Sequence, residues 1–274
     1  MKKTVLITGC SSGIGYDTAH YLHSNGYKVF ATARQQDDVN RLKNEGLDAY
    51  LLDVTKIDTI DAVLDSILEQ TGGTLYALFN NAGYGQPGAV EDIETEVLKE
   101  QFLTNVFGLH ELTRRVIPIM RTQGYGRILQ HSSVLGIISL RFRGAYNASK
   151  YAVEGLCDTL RQELAGSNIH VITLNTGPVV SDFRKNAIKM FEKNIDAKQS
   201  VFNAEYAVQM ATSGERKEDD FFTCKSDVVI NKVVLALEKK QPKPRYYITF
   251  ATHLLGTFKR FLPTTTLDAI LKKI

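Results

Sequence analysis

The sequence predicts an α/β fold, a doubly wound parallel sheet in a single domain with a helical extension at its C-terminus. Short apolar segments alternate with stretches of helical periodicity as far as residue 175. Strands spaced by helices in this way form a parallel sheet covered on both faces. A glycine-rich turn, Thr8 to Gly15, follows the first apolar segment at once. No internal repeat, low-complexity tract or linker divides the chain.

Residues 3 to 8 read as a buried strand, and 13 to 25 as a helix with Ile14, Ala19 and Leu22 on one side, ending near Gly26. Lys28 to Ala33 is the second strand, a charged helix covers 36 to 45, and Ala49 to Leu52 is the third strand, ending at Asp53. The helix over 56 to 71 carries the apolar stripe Ile60, Val63, Leu64, Ile67 and Leu68. Leu75 to Phe79 is the fourth strand and runs into Asn80-Asn81-Ala82-Gly83. One long helical region spans 95 to 122, Arg127 to His131 is the fifth strand, 146 to 165 is helical, and Ile169 to Leu174 is the sixth strand. Beyond 180 the alternation weakens: 181 to 222 is polar with short helices, and 225 to 240 is a helix ended by Pro242 and Pro244. Tyr246 to Phe250 is the last strand. The tail over 252 to 274 spaces Leu267, Ile270 and Leu271 helically among Lys259, Arg260, Lys272 and Lys273.

Composition narrows the function classes. The 274 residues are 43% hydrophobic and 23% charged, with a net charge of +3 and no basic stripe, so nucleic acid is not an expected partner. Cys10, Cys157 and Cys224 are far apart and odd in number, which gives no disulfide framework or metal spacing and fits a reducing cytosol. His20 and His23 lie three apart with no third ligand, so no metal is expected. The apolar run after Met1-Lys2-Lys3 is too short for a signal core, and no stretch reaches the length of a membrane span.

The turn Thr8-Gly9-Cys10-Ser11-Ser12-Gly13-Ile14-Gly15 joins the first strand to the first helix. Free N–H groups at a helix N-terminus favour anions, and glycine lets a backbone approach a pyrophosphate closely. Further on stand Asn81-Ala82-Gly83, Ser133, and Tyr146 four residues before Lys150. This set resembles the short-chain dehydrogenase/reductase family over about 3 to 250. Within it, the Thr-Gly-Cys-Ser-Ser-Gly-Ile-Gly form and the Gly177-Pro178-Val179 segment resemble the 17β-hydroxysteroid and retinol dehydrogenase-like branch. The whole chain, with Pro244-Arg245-Tyr246 and Arg260-Phe261-Leu262-Pro263, resembles bacterial NADP-dependent aldehyde reductases of that branch. The expected organisation is a Rossmann-type NADP-binding domain over 1–250, with a helical tail over 251–274 packed on it.

The second strand ends at Arg34, where NAD-binding folds usually carry an acid; a guanidinium there suits a 2′-phosphate, so NADP is the expected cofactor. The resemblance implies cofactor contacts from Gly9, Ser11, Ser12, Gly13, Ile14 and Gly15, from Asp53 and Val54 at the adenine, and from Asn81, Ala82 and Gly83 at its ribose. It also implies contacts from Gly177, Pro178, Val179 and Ser181 near the nicotinamide. Thr176 stands where the family has Pro, and Ser181 where it has Thr, which leaves the local loop geometry open. Tyr146 and Lys150 share one helix face, so the ammonium is expected to lower the phenol pKa. The resemblance makes Tyr146 the proton donor, Lys150 a holder of the nicotinamide ribose, Ser133 a hydrogen-bond donor to the carbonyl oxygen, and Asn105 the anchor of a water relay.

Loops 84 to 94, 134 to 143 and 181 to 220 are expected to wall the substrate crevice. Ile137, Ile138, Leu140, Phe142, Phe183, Met190 and Phe191 make that wall apolar. These expectations describe a cytoplasmic NADPH-dependent reductase of lipophilic aldehydes or ketones. A steroid or retinol dehydrogenase working oxidatively is one alternative; a catalytically silent NADP-sensing or scaffold protein is another. The family implies a homodimer or homotetramer. The tail is open to two readings, weak contact with a membrane surface or a helix covering the core or a dimer edge.

Overall fold

The computed structural model describes residues 2–211 and 223–274; the end of the polar stretch, 212–222, lies outside the described residues. Seven strands form one sheet: β1 (Thr4–Ile7), β2 (Lys28–Ala33), β3 (Asp48–Leu51), β4 (Ala77–Asn80), β5 (Gly126–Ser133), β6 (Ile169–Thr176) and β7 (Arg245–Tyr247). Their order is β3-β2-β1-β4-β5-β6-β7, and every pairing is parallel. The direction of winding reverses between β1 and β4. The crevice beyond the carboxyl ends of strands at such a point is where open α/β sheets bind ligands.

Successive side chains of a strand point to opposite faces, and β1 feeds two cores. Val5 and Ile7 join the core under α1 (Gly13–Ser24), α2 (Gln36–Asn44) and α9 (Ser226–Glu238), with Leu22, Leu42 and Val233. Leu6 joins the opposite core with Ile60 and Ile67 of α3 (Ile57–Thr71), Leu112 and Val116 of α5 (Leu109–Gln123), and Val153 and Cys157 of α6 (Gly144–Glu163). The strands are apolar on both faces because both faces are covered.

Three elements depart from the sequence reading. The helical region over 95–122 is α4 (Thr95–Phe102) and α5 with a π-helical segment, Leu103–Gly108, between them. Asn105 lies in that segment and hydrogen-bonds the Tyr84 backbone, which a wider turn accommodates. β7 stops at Tyr247, because Thr249 caps α10 (Phe250–Phe261) by accepting from the Thr252 amide. The third departure is the 134–143 loop. Ile138 is fully buried against Leu255 of α10 and Leu267 and Leu271 of α11 (Thr264–Leu271), with Ile137 and Leu140 packed alongside. These three residues therefore hold the tail instead of walling the crevice. Phe142 and Phe191 are likewise taken into a cluster with Ala89, Ile195 and Tyr206, which joins α7 (Phe183–Asn194) and α8 (Asn203–Ala211) to the loop after β4. Among the described residues, no helix is long and apolar enough to cross a membrane.

Candidate active site

The glycine turn is held by strand ends on both sides. The Cys10 amide donates to the Thr32 carbonyl at 2.7 Å, and the Thr8 amide donates to Phe79 at 3.1 Å. The Thr8 hydroxyl accepts from the Asn81 and Ala82 amides at 3.0 and 2.9 Å. The Asn81 side-chain amide donates to the Thr8 and Gly9 carbonyls at 2.9 and 3.0 Å. Gly9 and Gly13 have φ of 72° and 57°, which side-chain-bearing residues rarely adopt. A Cβ on Gly15 would lie 2.3 Å from the Gly9 carbonyl oxygen and 2.4 Å from the Asn81 amide nitrogen.

The turn suits a pyrophosphate. Helix α1 starts after Ser12 with no side-chain cap and no acid in its first turn, so its leading N–H groups are uncommitted and unopposed. A Cβ on Gly13 would meet only the Ser181 side chain, at 3.2 Å, so the space over the turn is bounded by the loop after β6. Ile14 packs partly against the core beneath. Arg34 is exposed just past β2. A second guanidinium, which sequence reasoning missed, acts on the turn from below: Arg41 of α2 donates to the Ser11 carbonyl at 2.6 Å and pairs with Asp38 at 3.0 Å. Nothing in the charged stretch over 36–45 singles it out, because the contact joins positions 30 residues apart.

The remaining expected cofactor residues divide by what their side chains do. One Asp53 carboxylate oxygen accepts from the Thr55 amide and hydroxyl at 3.0 and 2.7 Å. Val54 is buried in the core, where a Cβ on Gly108 would touch it at 2.8 Å, so only its backbone can face a ligand. Asn81 is a structural tie through all its side-chain atoms. Gly83 is exposed beside Asn105 and Lys150: a Cβ there would lie 3.0 Å from Asn105 Oδ1 and 3.9 Å from Lys150 Nζ.

Ser133 ends β5, and Tyr146 and Lys150 sit one turn apart on α6, all three buried. The Ser133 hydroxyl lies near enough to the Tyr146 phenol to lower its pKa, and it accepts from the Leu135 amide at 3.1 Å. Lys150 Nζ stands 5.6 Å from the Tyr146 ring centroid and donates to the His131 carbonyl at 2.7 Å. Asn105 Oδ1 accepts from the Tyr84 amide at 3.1 Å, and its nitrogen donates to the Tyr84 carbonyl and the Ser149 hydroxyl at 2.9 and 3.1 Å. Asn105 therefore fixes the loop beside Lys150 without bonding to it.

The electrostatics correct one expectation. Burial raises the Tyr146 pKa well above the ordinary phenol value, and the neighbouring Ser133 hydroxyl offsets only part of that rise. The Lys150 ammonium does not reverse it. Burial also lowers Lys150 to about 8, against an opposing pull from Glu154. Desolvation disfavours each charged form, and at this separation it outweighs the mutual attraction.

Past β6, Thr176 stays in register with Ser133, so replacing Pro leaves the strand intact. A Cβ on Gly177 would lie 2.0 Å from the Thr249 hydroxyl. The Pro178 carbonyl accepts from the Cys224 amide at 3.1 Å, and the Val180 amide donates to the Cys224 carbonyl at 3.0 Å, which fixes Val179 between them. Ser181 reaches Gly13, as described. Phe183 places its ring 5.4 Å from the Tyr146 ring and against Gly85. Of the apolar wall expected from the sequence, Phe183 is the member that meets Tyr146.

Comparison with known proteins agrees with this geometry. The family model described as short chain dehydrogenase matches residues 3–192. The uncharacterized oxidoreductase YbbO of Escherichia coli (strain K12) is 38% identical over 272 residues, covering 99% of this chain and 95% of its own. Retinol dehydrogenase 16 of Homo sapiens is 30% identical over 285 residues, covering 98% and 87%. A crystal structure of a short-chain dehydrogenase from Streptomyces avermitilis superposes with a TM-score of 0.76 at 27% identity, covering 99% of this chain and 95% of that one.

Proposed function

The chain belongs to the short-chain dehydrogenase/reductase family, in its retinol and hydroxysteroid dehydrogenase-like branch, and on that premise we propose that it is an NADP(H)-dependent reductase of lipophilic aldehydes or ketones. The observation that carries this reading is the convergence of Ser133, Tyr146 and Lys150 at the carboxyl ends of the strands, beside a glycine turn with uncommitted amides. When bound there, the nicotinamide supplies or accepts a hydride. Gly9, Ser11, Ser12, Gly13, Ile14 and Gly15 hold the pyrophosphate side. Asp53, the Val54 backbone, Ala82 and Gly83 flank the adenosine, while Gly177, Pro178, Val179 and Ser181 face the other end. Arg34, exposed and without an acid in its place, supports NADP over NAD.

Tyr146 keeps its proton at neutral pH because burial disfavours the phenolate, and a held proton is what a carbonyl oxygen must receive as it becomes an alcohol. Ser133, beside the phenol, positions that oxygen. The Lys150 ammonium, fixed by the His131 carbonyl, stabilises the phenolate left after proton transfer. Asn105 holds the loop that bounds Lys150. Phe183, 41% exposed beside Tyr146, offers the apolar surface that supports a lipophilic substrate. Likeness to retinol dehydrogenase 16 favours a second reading, oxidation of a retinoid or steroid alcohol.

Three free cysteines support a reducing compartment such as the cytoplasm. Exposed Leu103 and Phe107 beside α5 support a homodimer or homotetramer. The decisive experiment follows NADPH and NADH consumption with an aldehyde panel, and the reverse reaction with alcohols. Tyr146→Phe should lower kcat by at least about a hundredfold while sparing dinucleotide binding. Turnover unchanged in that variant would refute the assigned acid, and the absence of turnover with every carbonyl and alcohol would favour a silent dinucleotide sensor or scaffold.

A further inference from the structure

His131 lies two residues before Ser133 on β5, and the proposed reaction uses only its carbonyl. Its ring stands between two hydrogen-bond partners from distant segments, the loop after β4 and the end of β6: Nδ1 is 2.9 Å from Asn81 Oδ1, and Nε2 is 2.9 Å from the Thr176 hydroxyl. The network fixes the direction of each bond. The Asn81 nitrogen must donate to the Thr8 and Gly9 carbonyls, so Oδ1 faces the ring as an acceptor and Nδ1 carries the hydrogen. Nε2 is then a lone pair, and the Thr176 hydroxyl donates to it. Burial, and the Lys150 ammonium after it, push the imidazole down to about 3, so the ring is neutral and the assignment holds at physiological pH.

Each end of this bridge is an anchor of the cleft. Asn81 holds the glycine turn, and Thr176 is the last residue of β6, immediately before Gly177-Pro178-Val179. We propose that His131 is a positioning residue, a neutral spacer that sets the separation between the adenosine-side and nicotinamide-side grips on the coenzyme. The proposal rests on the dinucleotide reading above and extends it. It gives Thr176 a role that proline could not fill, since proline has no hydroxyl to donate. A bridge of this kind leaves each half-site intact and acts only when one ligand spans both.

That property separates positioning from mere support of the strand. Dissociation constants for NADPH and for its adenosine 2′,5′-bisphosphate half would be measured on His131→Leu, Thr176→Val, the double variant, and the conservative His131→Gln and Thr176→Ser, with thermal unfolding as the fold control. We expect His131→Leu and Thr176→Val each to weaken NADPH about tenfold and the half-ligand less than about twofold. The double variant should be no worse than either single one, because both remove the same bridge. Gln and Ser, which keep a donor and acceptor, should restore NADPH binding. Equal weakening of both ligands, no weakening of either, or additive losses would overturn the proposal. The tautomer is a separate readout that needs no ligand. Nitrogen-15 spectra at pH 7 should show a neutral ring protonated on Nδ1; an Nε2–H ring or an imidazolium would sink the bridge. Failure of the parent protein to bind any nicotinamide dinucleotide would instead overturn the functional reading beneath it.

Discussion

Lys150 and Tyr146 are each shifted away from their charged forms, and this competition between burial and attraction sets how the site responds to pH. Lys150 loses its proton near 8 in the folded protein and at its ordinary value of 10.5 when unfolded. The folded chain therefore holds fewer protons between those values, and the Lys150 contribution to stability rises with pH across that window. Cys10 works in the opposite sense: burial lifts it from 9.0 to about 12, so its contribution falls over that range. The Lys150 effect should appear as a difference. Denaturant unfolding of wild type and Lys150→Met should show the wild type gaining relative stability from pH 8 to 10.5, and parallel curves would show that burial of Lys150 does not carry the shift. In catalysis the ammonium is the useful form, so carbonyl reduction should decline as pH passes about 8, and a rate profile flat to pH 10 would remove Lys150 from the proton-transfer step.

Among the elements, the glycine turn and the π-helical segment carry the site, and they differ in how far the sequence announces them. The turn is legible from glycine spacing because its requirement is local: positive φ and close backbone approach. Gly15→Ala would drive a methyl into the Gly9 carbonyl, 2.3 Å away, and should cost about 1–3 kcal/mol in urea unfolding together with most dinucleotide affinity. The break over Leu103–Gly108 has no such signature, because Asn105 earns it through a contact with Tyr84, 21 positions away. Asn105→Ala leaves the Tyr84 amide without its partner, at about 1–3 kcal/mol for the group left unsatisfied, while the Tyr84 carbonyl keeps its bond from the Gln101 side chain. The expected result is a lower melting temperature with turnover reduced; an unchanged melting temperature would show that the segment does not depend on Asn105.

For the whole molecule, the question is which apolar surfaces are spent inside the chain and which remain. The tail spends Leu255, Leu267 and Leu271 on Val134 and Ile138, directly after Ser133. Leu267→Ala should lower stability by about 2–5 kcal/mol, read from urea unfolding; a loss under about 0.5 kcal/mol would mean the tail is not part of the cooperative unit. Phe107 is 56% exposed beside α5. If two copies pair there, Phe107→Asp should shift the mass measured by light scattering from dimer or tetramer to monomer, and an unchanged assembly would place the interface elsewhere.

By itself the sequence determined what depends on neighbours along the chain: alternating strands and helices, the glycine turn, the helical turn between Tyr146 and Lys150, and through their spacing the family. Strand periodicity and backbone freedom are local properties, so residue order states them directly. Tertiary structure alone decided which side chains face one another across distant segments. It put Arg41 under the turn, His131 between Asn81 and Thr176, Val54 in the core, and Ile138 beneath the tail. It also decided the sense of the Tyr146 shift, since desolvation depends on everything packed around a group, whereas spacing along a helix reveals only its nearest charge.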